Sequence, residues 1–220
     1  MNFETNVPYI QKVYSTLKRA IVLNELKQGQ VLNERDLSEE LNISRTPLRD
    51  GLNLLENEGW IEKRGKSRIV SVLTWRDIEE IYELRVLNEC YAVRKVVQNL
   101  TPEGSAHLLR MLERMRAEFQ ENRDRITFLE ADQLWHQTLD EFCGNSRLDS
   151  ILHGIYEQFV RISFITNKKN NLRIEEAMEE HAAIYQAILD KKPDEAAAAS
   201  ERHIAAWFHS LKENWEEKNE

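Results

Sequence analysis

One stretch, residues 32–60, constrains the fold more than any other part of the chain, because it holds two short amphipathic segments around a tight turn. Asn33 precedes the first segment and Ser44 the second, and both side chains suit a helix N-cap. Pro47 falls in the first turn of the second segment, where its missing N–H costs nothing, and Gly59 suits the end of that helix. Leucines recur on one face of each segment: Leu37, Leu41, Leu48, Leu52 and Leu55. The pattern predicts two helices that pack through their leucines.

The outer face of the second predicted helix carries arginines at the point where the helix begins. Arg45 and Arg49 are one turn apart there, and Thr46 lies beside them. A helix N-terminus suits phosphate, and arginines can bond to guanine edges in the major groove. This arrangement is typical of a helix-turn-helix that reads DNA. Two amphipathic helices with solvated arginines are the alternative, which this stretch alone leaves open.

Two short segments with strand character follow, residues 60–63 and 68–72, around a basic turn at 64–67. A basic hairpin directly after a recognition helix is typical of a wing that lies along the sugar–phosphate backbone. Here the sequence resembles the winged helix-turn-helix of the GntR family of bacterial transcription regulators. ERDLSEELNISRTPLRDGLNLLENEGWIE follows that family's signature, and ISRTPLR is its most specific part.

This resemblance implies a set of DNA-contacting residues. Four residues match the family's DNA-contacting positions: Arg35, Arg45, Thr46 and Arg49. Gly65 lies at the tip of the wing. We add Ser44, the predicted N-cap, and Lys66, the basic residue of the wing turn. The chain departs from the family pattern at two positions. Gly51 stands where alanine is usual, at a cost of about 1 kcal/mol of helix stability, and Ser67 replaces a usual wing glycine.

Composition indicates a helical protein with room for two domains. The chain has 220 residues, a mass of 26.0 kDa, and only seven glycines and four prolines. No apolar run approaches the ~20 residues of a membrane span, and no basic-then-apolar signal opens the chain. Cys90 and Cys143 lack CxxC spacing, so we expect a reduced, cytoplasmic protein.

Charge is distributed unevenly along the chain, whose formal net charge of −8 does not suit a DNA-binding protein as a whole. Residues 1–73 hold 11 Lys/Arg and 10 Asp/Glu, a net charge of +1, so residues 74–220 carry −9. The local field around the basic helix and turn governs phosphate binding, and the acidity of the second part therefore does not exclude a DNA partner.

Helical periodicity continues to the end of the chain. We predict a short arm at residues 1–8, a helix at 9–24 and no convincing strand after residue 74. Six further helices are predicted, at 75–99, 102–122, 126–143, 146–166, 173–191 and 194–217, with a break at 167–171 between the fourth and the fifth. The predicted fold is mainly α: an N-terminal winged helix-turn-helix of three helices plus a β-hairpin wing (1–73), followed by an all-α antiparallel helical bundle (74–220).

Four polar side chains fall inside the apolar stripes of three predicted bundle helices: Asp132 and His136 in one, His181 in the next but one, and His203 in the last. A single inward histidine is usually a hydrogen-bonded core residue. Burying an unpaired carboxylate or imidazole costs several kcal/mol, however, and four together indicate a divalent metal site. Three imidazoles and a carboxylate suit Zn, Ni, Mn or Fe, of which we favour Zn.

The second part of the chain resembles the helical FCD domain of the FadR-type GntR regulators. DQLWH, EEHAAIYQAI and SERHIAAW carry that pattern, and IYELRVLNE and CGN match its first helix and mid-domain turn. The resemblance implies that Asp132, His136, His181 and His203 are metal ligands. Arg85 is predicted to pair with Glu89 or to bind an effector carboxylate. Arg161 matches a basic position of the family, although its place on the helical wheel is off the main apolar stripe.

The residues and the resemblance together favour a regulator over an enzyme. We expect a cytoplasmic, homodimeric repressor of a pseudo-palindromic, double-stranded DNA operator, controlled by a small carboxylate effector, an organic acid or sugar acid, at the metal site. The metal and effector would be bound by the second domain, which would also dimerise. A metal-dependent enzyme using the same site and an acyl-CoA-sensing regulator with a vestigial metal site are the alternatives.

Overall fold

A computed structural model describes residues 7–166 and 171–219 of the chain. They divide into two compact units, Met1–Trp75 and Arg76–Glu220. The predicted arm lies mostly outside the described residues, at 1–6, and so does most of the predicted break, at 167–170.

The first unit is built around the predicted helical hairpin. Its elements are α1 (Val7–Val22), β1 (Val31–Leu32), α2 (Glu34–Glu40), α3 (Arg45–Asn57), β2 (Ile61–Arg64) and β3 (Ser67–Val70). The Asn33 side chain accepts a hydrogen bond from the Arg35 N–H and caps α2, as its position predicts. Leu48, Leu52 and Leu55 of α3 are fully buried, which fixes the outer face of that helix toward solvent.

The wing is a three-stranded antiparallel sheet of order β1-β3-β2. Arg64 pairs with Ser67, so the hairpin turn is only two residues long, and Gly65 has a positive φ of 66°. Ser67, which stands in place of a usual glycine, is the first residue of β3 and needs no left-handed conformation. The third strand, β1, was not predicted, because two residues are too few to show alternation.

Gly51 of α3 lies directly against Val13 of α1. A Cβ there would lie 2.6 Å from Val13 Cγ1 and 2.9 Å from Val13 Cβ. The loss of helix propensity expected from the sequence is therefore offset by close packing between the two helices, which an alanine would disturb.

The second unit contains the six helices of the predicted bundle. They are α4 (Trp75–Asn99), α5 (Pro102–Asn122), α6 (Arg125–Cys143), α7 (Ser146–Thr166), α8 (Asn171–Leu189) and α9 (Pro193–Asn219). The Asp124 side chain caps α6, and Gly144 ends it with a φ of 74°. Each of α5, α7 and α8 packs against a sequence neighbour, and α7 also contacts α9. None of the helices in the described ranges combines the length and apolarity that a bilayer crossing requires.

Candidate metal centre and nucleic-acid interface

Four buried polar side chains from three helices meet inside the second unit. Asp132 and His136 lie one turn apart on α6, His181 lies on α8 and His203 on α9, and none is more than 3% exposed. His181 Nε2 lies 3.1 Å from Asp132 Oδ1 and 3.2 Å from His136 Nε2. One ligand atom from each of the four residues lies within 4.8 Å of the others. Helical periodicity predicted that these four side chains point inward, and they do.

The two short distances from His181 Nε2, 3.1 Å to Asp132 Oδ1 and 3.2 Å to His136 Nε2, match the spacing of neighbouring ligands on one cation. Ligand atoms at ~2.0–2.2 Å from an ion lie about 3.0–3.5 Å apart when they are neighbours in common geometries. Asp132 Oδ2 is buried and has no hydrogen-bond partner among the described residues. The facing Nε2 atoms of His136 and His181 can share one proton at most, which leaves a lone pair available. The residues present therefore fit a divalent metal, and the nitrogen and oxygen donors suit Zn, Ni, Mn or Fe.

Burial sets the protonation states in this cluster. It lowers the pKa of His181, and it lowers the pKa of His203 well below the usual value, so both rings are neutral near pH 7. Burial alone would raise the pKa of Asp132, but the hydrogen bond from His181 and the neighbouring imidazoles hold that pKa below its ordinary value. Neutral imidazoles and an ionised carboxylate are the forms that ligate metal.

Two glutamates contact the histidines from outside the cluster. Glu89 Oε2 lies 3.0 Å from His136 Nδ1, and Glu180 Oε2 lies 2.7 Å from His203 Nδ1. Arg85 Nε donates to Glu89 Oε1 at 2.6 Å, which is the internal ion pair considered for these residues from the sequence. Burial would raise the pKa of Glu89, but Arg85 and His136 lower it to about 2, so Glu89 is ionised.

A small cavity of about 40 Å³ adjoins the cluster at Asp132 and His203. Two cationic side chains, Arg125 and Arg173, form part of its wall. The rest of the lining is apolar or uncharged: Phe128, Leu129, Phe159, Ser163, Ile174, Ala177 and Trp207. The cavity therefore offers positive charge and aromatic surface next to the candidate metal ligands.

The two arginines predicted to bind the effector are both buried and are not among the residues lining this cavity. The Arg85 guanidinium lies 4.1 Å from the ring centroid of Phe159, which does line it, and Arg85 Nη1 and Nη2 have no hydrogen-bond partner within the described residues. Arg161 lies off the main apolar stripe of its helix, yet its side chain is buried. Residues 159–163 are all buried, because α7 is enclosed on every side there. Burial lowers the pKa of Arg161 to about 10.

The first turns of α3 present the predicted DNA-contacting side chains to solvent. Arg45, Thr46 and Arg49 are exposed, as are Gly65 and Lys66 at the wing tip. Ser44 occupies the N-cap position of α3 with an extended backbone, but its side chain makes no capping hydrogen bond. Arg35 is exposed on α2 and its Nε donates to Glu39 at 3.0 Å.

A groove of about 740 Å³ runs between α3 and the wing. Glu34 links its two sides, because it accepts from Arg49 Nε at 2.7 Å and from Arg68 Nη1 at 3.0 Å. Arg68 also donates to Glu56 at 3.1 Å. Arg68 therefore links β3 to the helices, a role that the sequence pattern does not predict.

Two protein families match the sequence of this chain. The FCD domain matches residues 80–206, which is more than half of the chain, and the gntR family of bacterial regulatory proteins matches residues 9–70. This chain belongs to the GntR family. As a GntR protein with an FCD domain it is a DNA-binding transcription regulator, and its relatives are regulators rather than enzymes.

GntR-family relatives resemble the chain along most of its length. The uncharacterized HTH-type transcriptional regulator YdhC of Bacillus subtilis is 28% identical over 203 residues, which cover 92% of this chain and 88% of that protein. The gluconate operon transcriptional repressor of Bacillus subtilis is 26% identical over 210 residues, covering 94% and 82%. Among solved structures, E. coli McbR/YncC has the same fold, with a TM-score of 0.80 at 21% identity over 94% of this chain and 98% of the other.

Some residues around the candidate metal centre of this GntR regulator could not be predicted from the sequence. Glu180 directly precedes His181 in the chain, yet its side chain contacts His203 of the next helix. Arg125 and Arg173 lie at helix starts and carry no periodic signal that separates them from surface arginines. Contacts between helices depend on how the helices are rotated against each other, which the sequence pattern does not specify.

Proposed function

We propose that this GntR regulator is a repressor whose binding to operator DNA is controlled by a small carboxylate, an organic acid or a sugar acid, bound at a divalent metal site in the FCD domain. The observation that carries the proposal is the buried Asp132, His136, His181 and His203 cluster beside a cavity with cationic walls. The gluconate operon repressor, a relative, is named for a sugar acid.

Asp132, His136, His181 and His203 would hold the metal. When bound, the metal would supply positive charge and open coordination positions for a carboxylate, and Zn is the ion we favour. The protein's own cations support an anionic ligand. Arg125 and Arg173 line the cavity, and Arg85, whose terminal nitrogens have no protein partner in the described residues, and Arg161 lie buried in the same unit. We retain Arg85 and Arg161 as proposed effector-binding residues.

The DNA-reading surface would be α3 together with the wing. Arg35, Ser44, Arg45, Thr46, Arg49, Gly65 and Lys66 are the proposed contacts. A homodimer on a pseudo-palindromic operator would place two such surfaces on two half-sites, and a regulator of bacterial operators would act in the cytoplasm.

A helix face suited to such a dimer lies on α4. Leu84, Leu87 and Tyr91 are exposed there at helical spacing, and Leu87 is 71% exposed. We propose that this face packs against the same face of a second copy of the chain.

The proposal is tested by measuring operator binding of the purified protein against a panel of organic and sugar acids, with Zn-loaded and chelator-treated samples side by side. We expect one class of carboxylate to shift operator affinity only in the metal-loaded sample. A panel without any effect, or an effect of equal size after chelation, would contradict effector control through the metal.

A further inference from the structure

In two of the three clustered histidines, the Nδ1 atom contacts the carboxylate of a glutamate. Glu89, from α4, lies 3.0 Å from His136 Nδ1, and Glu180, from α8, lies 2.7 Å from His203 Nδ1. In both rings Nδ1 is occupied, and Nε2 is therefore the nitrogen left to ligate. The two glutamates come from different helices and reach different histidines, so the arrangement arises twice independently.

Each carboxylate is itself fixed by an arginine. Arg173 donates to both oxygens of Glu180, through Nη1 at 3.0 Å and Nη2 at 2.8 Å, and Arg85 donates to Glu89 at 2.6 Å. Bidentate and buried arginine contacts of this kind restrict a carboxylate to one orientation. Two chains of contacts result, Arg85–Glu89–His136 and Arg173–Glu180–His203.

The burial of an imidazole does not by itself require a carboxylate at its Nδ1 atom. His181 is as buried as the other two rings, yet its Nδ1 has no hydrogen-bond partner among the described residues. This core can therefore accommodate an imidazole that has no carboxylate at Nδ1. In general, a carboxylate at Nδ1–H fixes the tautomer and orientation of a histidine ring, and its negative charge makes Nε2 a stronger donor to a metal.

We propose that Glu89 and Glu180 are positioning residues for the metal, which orient His136 and His203 and strengthen them as ligands, with Arg85 and Arg173 holding the two carboxylates in place. This inference rests on the proposed metal site. Arg173 also lines the cavity beside Asp132, so one of the two chains of contacts joins this cavity to the proposed metal centre.

Glu180→Gln tests the proposal with little change of shape, because glutamine keeps the length and one acceptor but loses the charge. We expect the Zn affinity, measured by chelator competition on the full chain, to fall 10- to 100-fold, and the visible spectrum of the Co(II)-loaded protein to shift. Glu89→Gln should give the same result at His136. Glu179→Gln is the matched control, because Glu179 is the adjacent residue, its side chain is 74% exposed, and it pairs with Arg116 instead.

A purely structural role predicts a different pattern. Glu180→Gln would then lower the melting temperature of the metal-free protein and leave the Zn affinity and Co(II) spectrum unchanged, which would overturn the inference while the metal site stands. If Glu89→Gln does not fold, Glu180→Gln, whose carboxylate is partly exposed, carries the test alone. Failure of the wild-type protein to bind Zn or Co(II) would instead sink the proposed metal site, and this inference with it.

Discussion

At the scale of single residues, Gly51 illustrates how packing overrides helix propensity. Gly51→Ala would gain about 1 kcal/mol of propensity, but the new Cβ would collide with the branched Val13, and overpacking costs roughly 1–3 kcal/mol. We expect the variant to melt at a lower temperature than wild type. Gly154→Ala is the control, because that helical glycine has open space around its Cβ position and the change should be neutral or stabilising. A higher melting temperature for Gly51→Ala would contradict the close approach.

Asp140 gives a residue-scale prediction about pH. Burial, and after it the charge of Glu89, raise the pKa of Asp140 to about 8. Above about pH 4, the Asp140 carboxyl is therefore still protonated in the folded protein but ionised in the unfolded chain. The contribution of Asp140 to stability declines as the pH rises from about 4 to about 8. Asp140→Asn cannot ionise, so its free energy of unfolding relative to wild type should rise between pH 5 and pH 8 in denaturant titrations. Parallel pH profiles for the two proteins would show that Asp140 is ionised in the folded state.

Residues on regular stripes could be predicted from the sequence, and residues that meet across helices could not. Asp132, His136, His181 and His203 were found because each interrupts an apolar period of 3.6, a property of one helix at a time. The burial of Arg161 could not be predicted from its helical-wheel position, because α7 is buried on every side at that level and no single apolar stripe marks the buried face. Glu180 was missed because its partner lies on another helix.

At the scale of elements, the proposed roles of α3 and the wing in DNA binding predict different effects of mutation. Arg45→Ala and Arg49→Ala should each weaken specific operator binding by ~1–3 kcal/mol if these side chains bond to guanine, with little change on random DNA. Lys66→Ala should weaken binding to both DNAs and lower the slope of the salt dependence by about one. Fluorescence anisotropy on both DNAs at several salt concentrations measures this. Equal losses on operator and random DNA for the arginine variants would refute base reading.

Element boundaries followed from local signals where those signals were strong. Asp124 and Gly144 bracket α6 within one residue of its predicted limits, because caps and left-handed ends act locally. Strand β1 had no local signal, since it exists only through its pairing with β3. The helical bundle was predictable as an architecture, whereas the cavity within it depends on side-chain packing.

At the scale of the whole molecule, the proposed recognition of a pseudo-palindromic operator requires two copies of the chain. Leu87→Asp places a charge on the exposed apolar face of α4 and should convert the dimer into a monomer. Sedimentation at micromolar concentration measures this change. Operator binding should weaken as a consequence. Ile151→Asp on α7, where the side chain is also exposed, is the control and should leave the assembly unchanged. A Leu87→Asp protein that still sediments as a dimer would place the interface elsewhere.

The measurement that tests the central claim most directly is metal content and effector response in wild type and His181→Ala, with operator binding measured on the same samples. His181 contacts both Asp132 and His136, so its loss should remove the bound metal, lower the stability that ligation contributes, and abolish the effector response. Operator binding by the metal-free variant should persist, because the proposed DNA contacts belong to the first unit. One equivalent of metal in wild type and none in His181→Ala is the result we predict. Equimolar metal retained after replacing His136, His181 and His203 together by alanine would contradict the site.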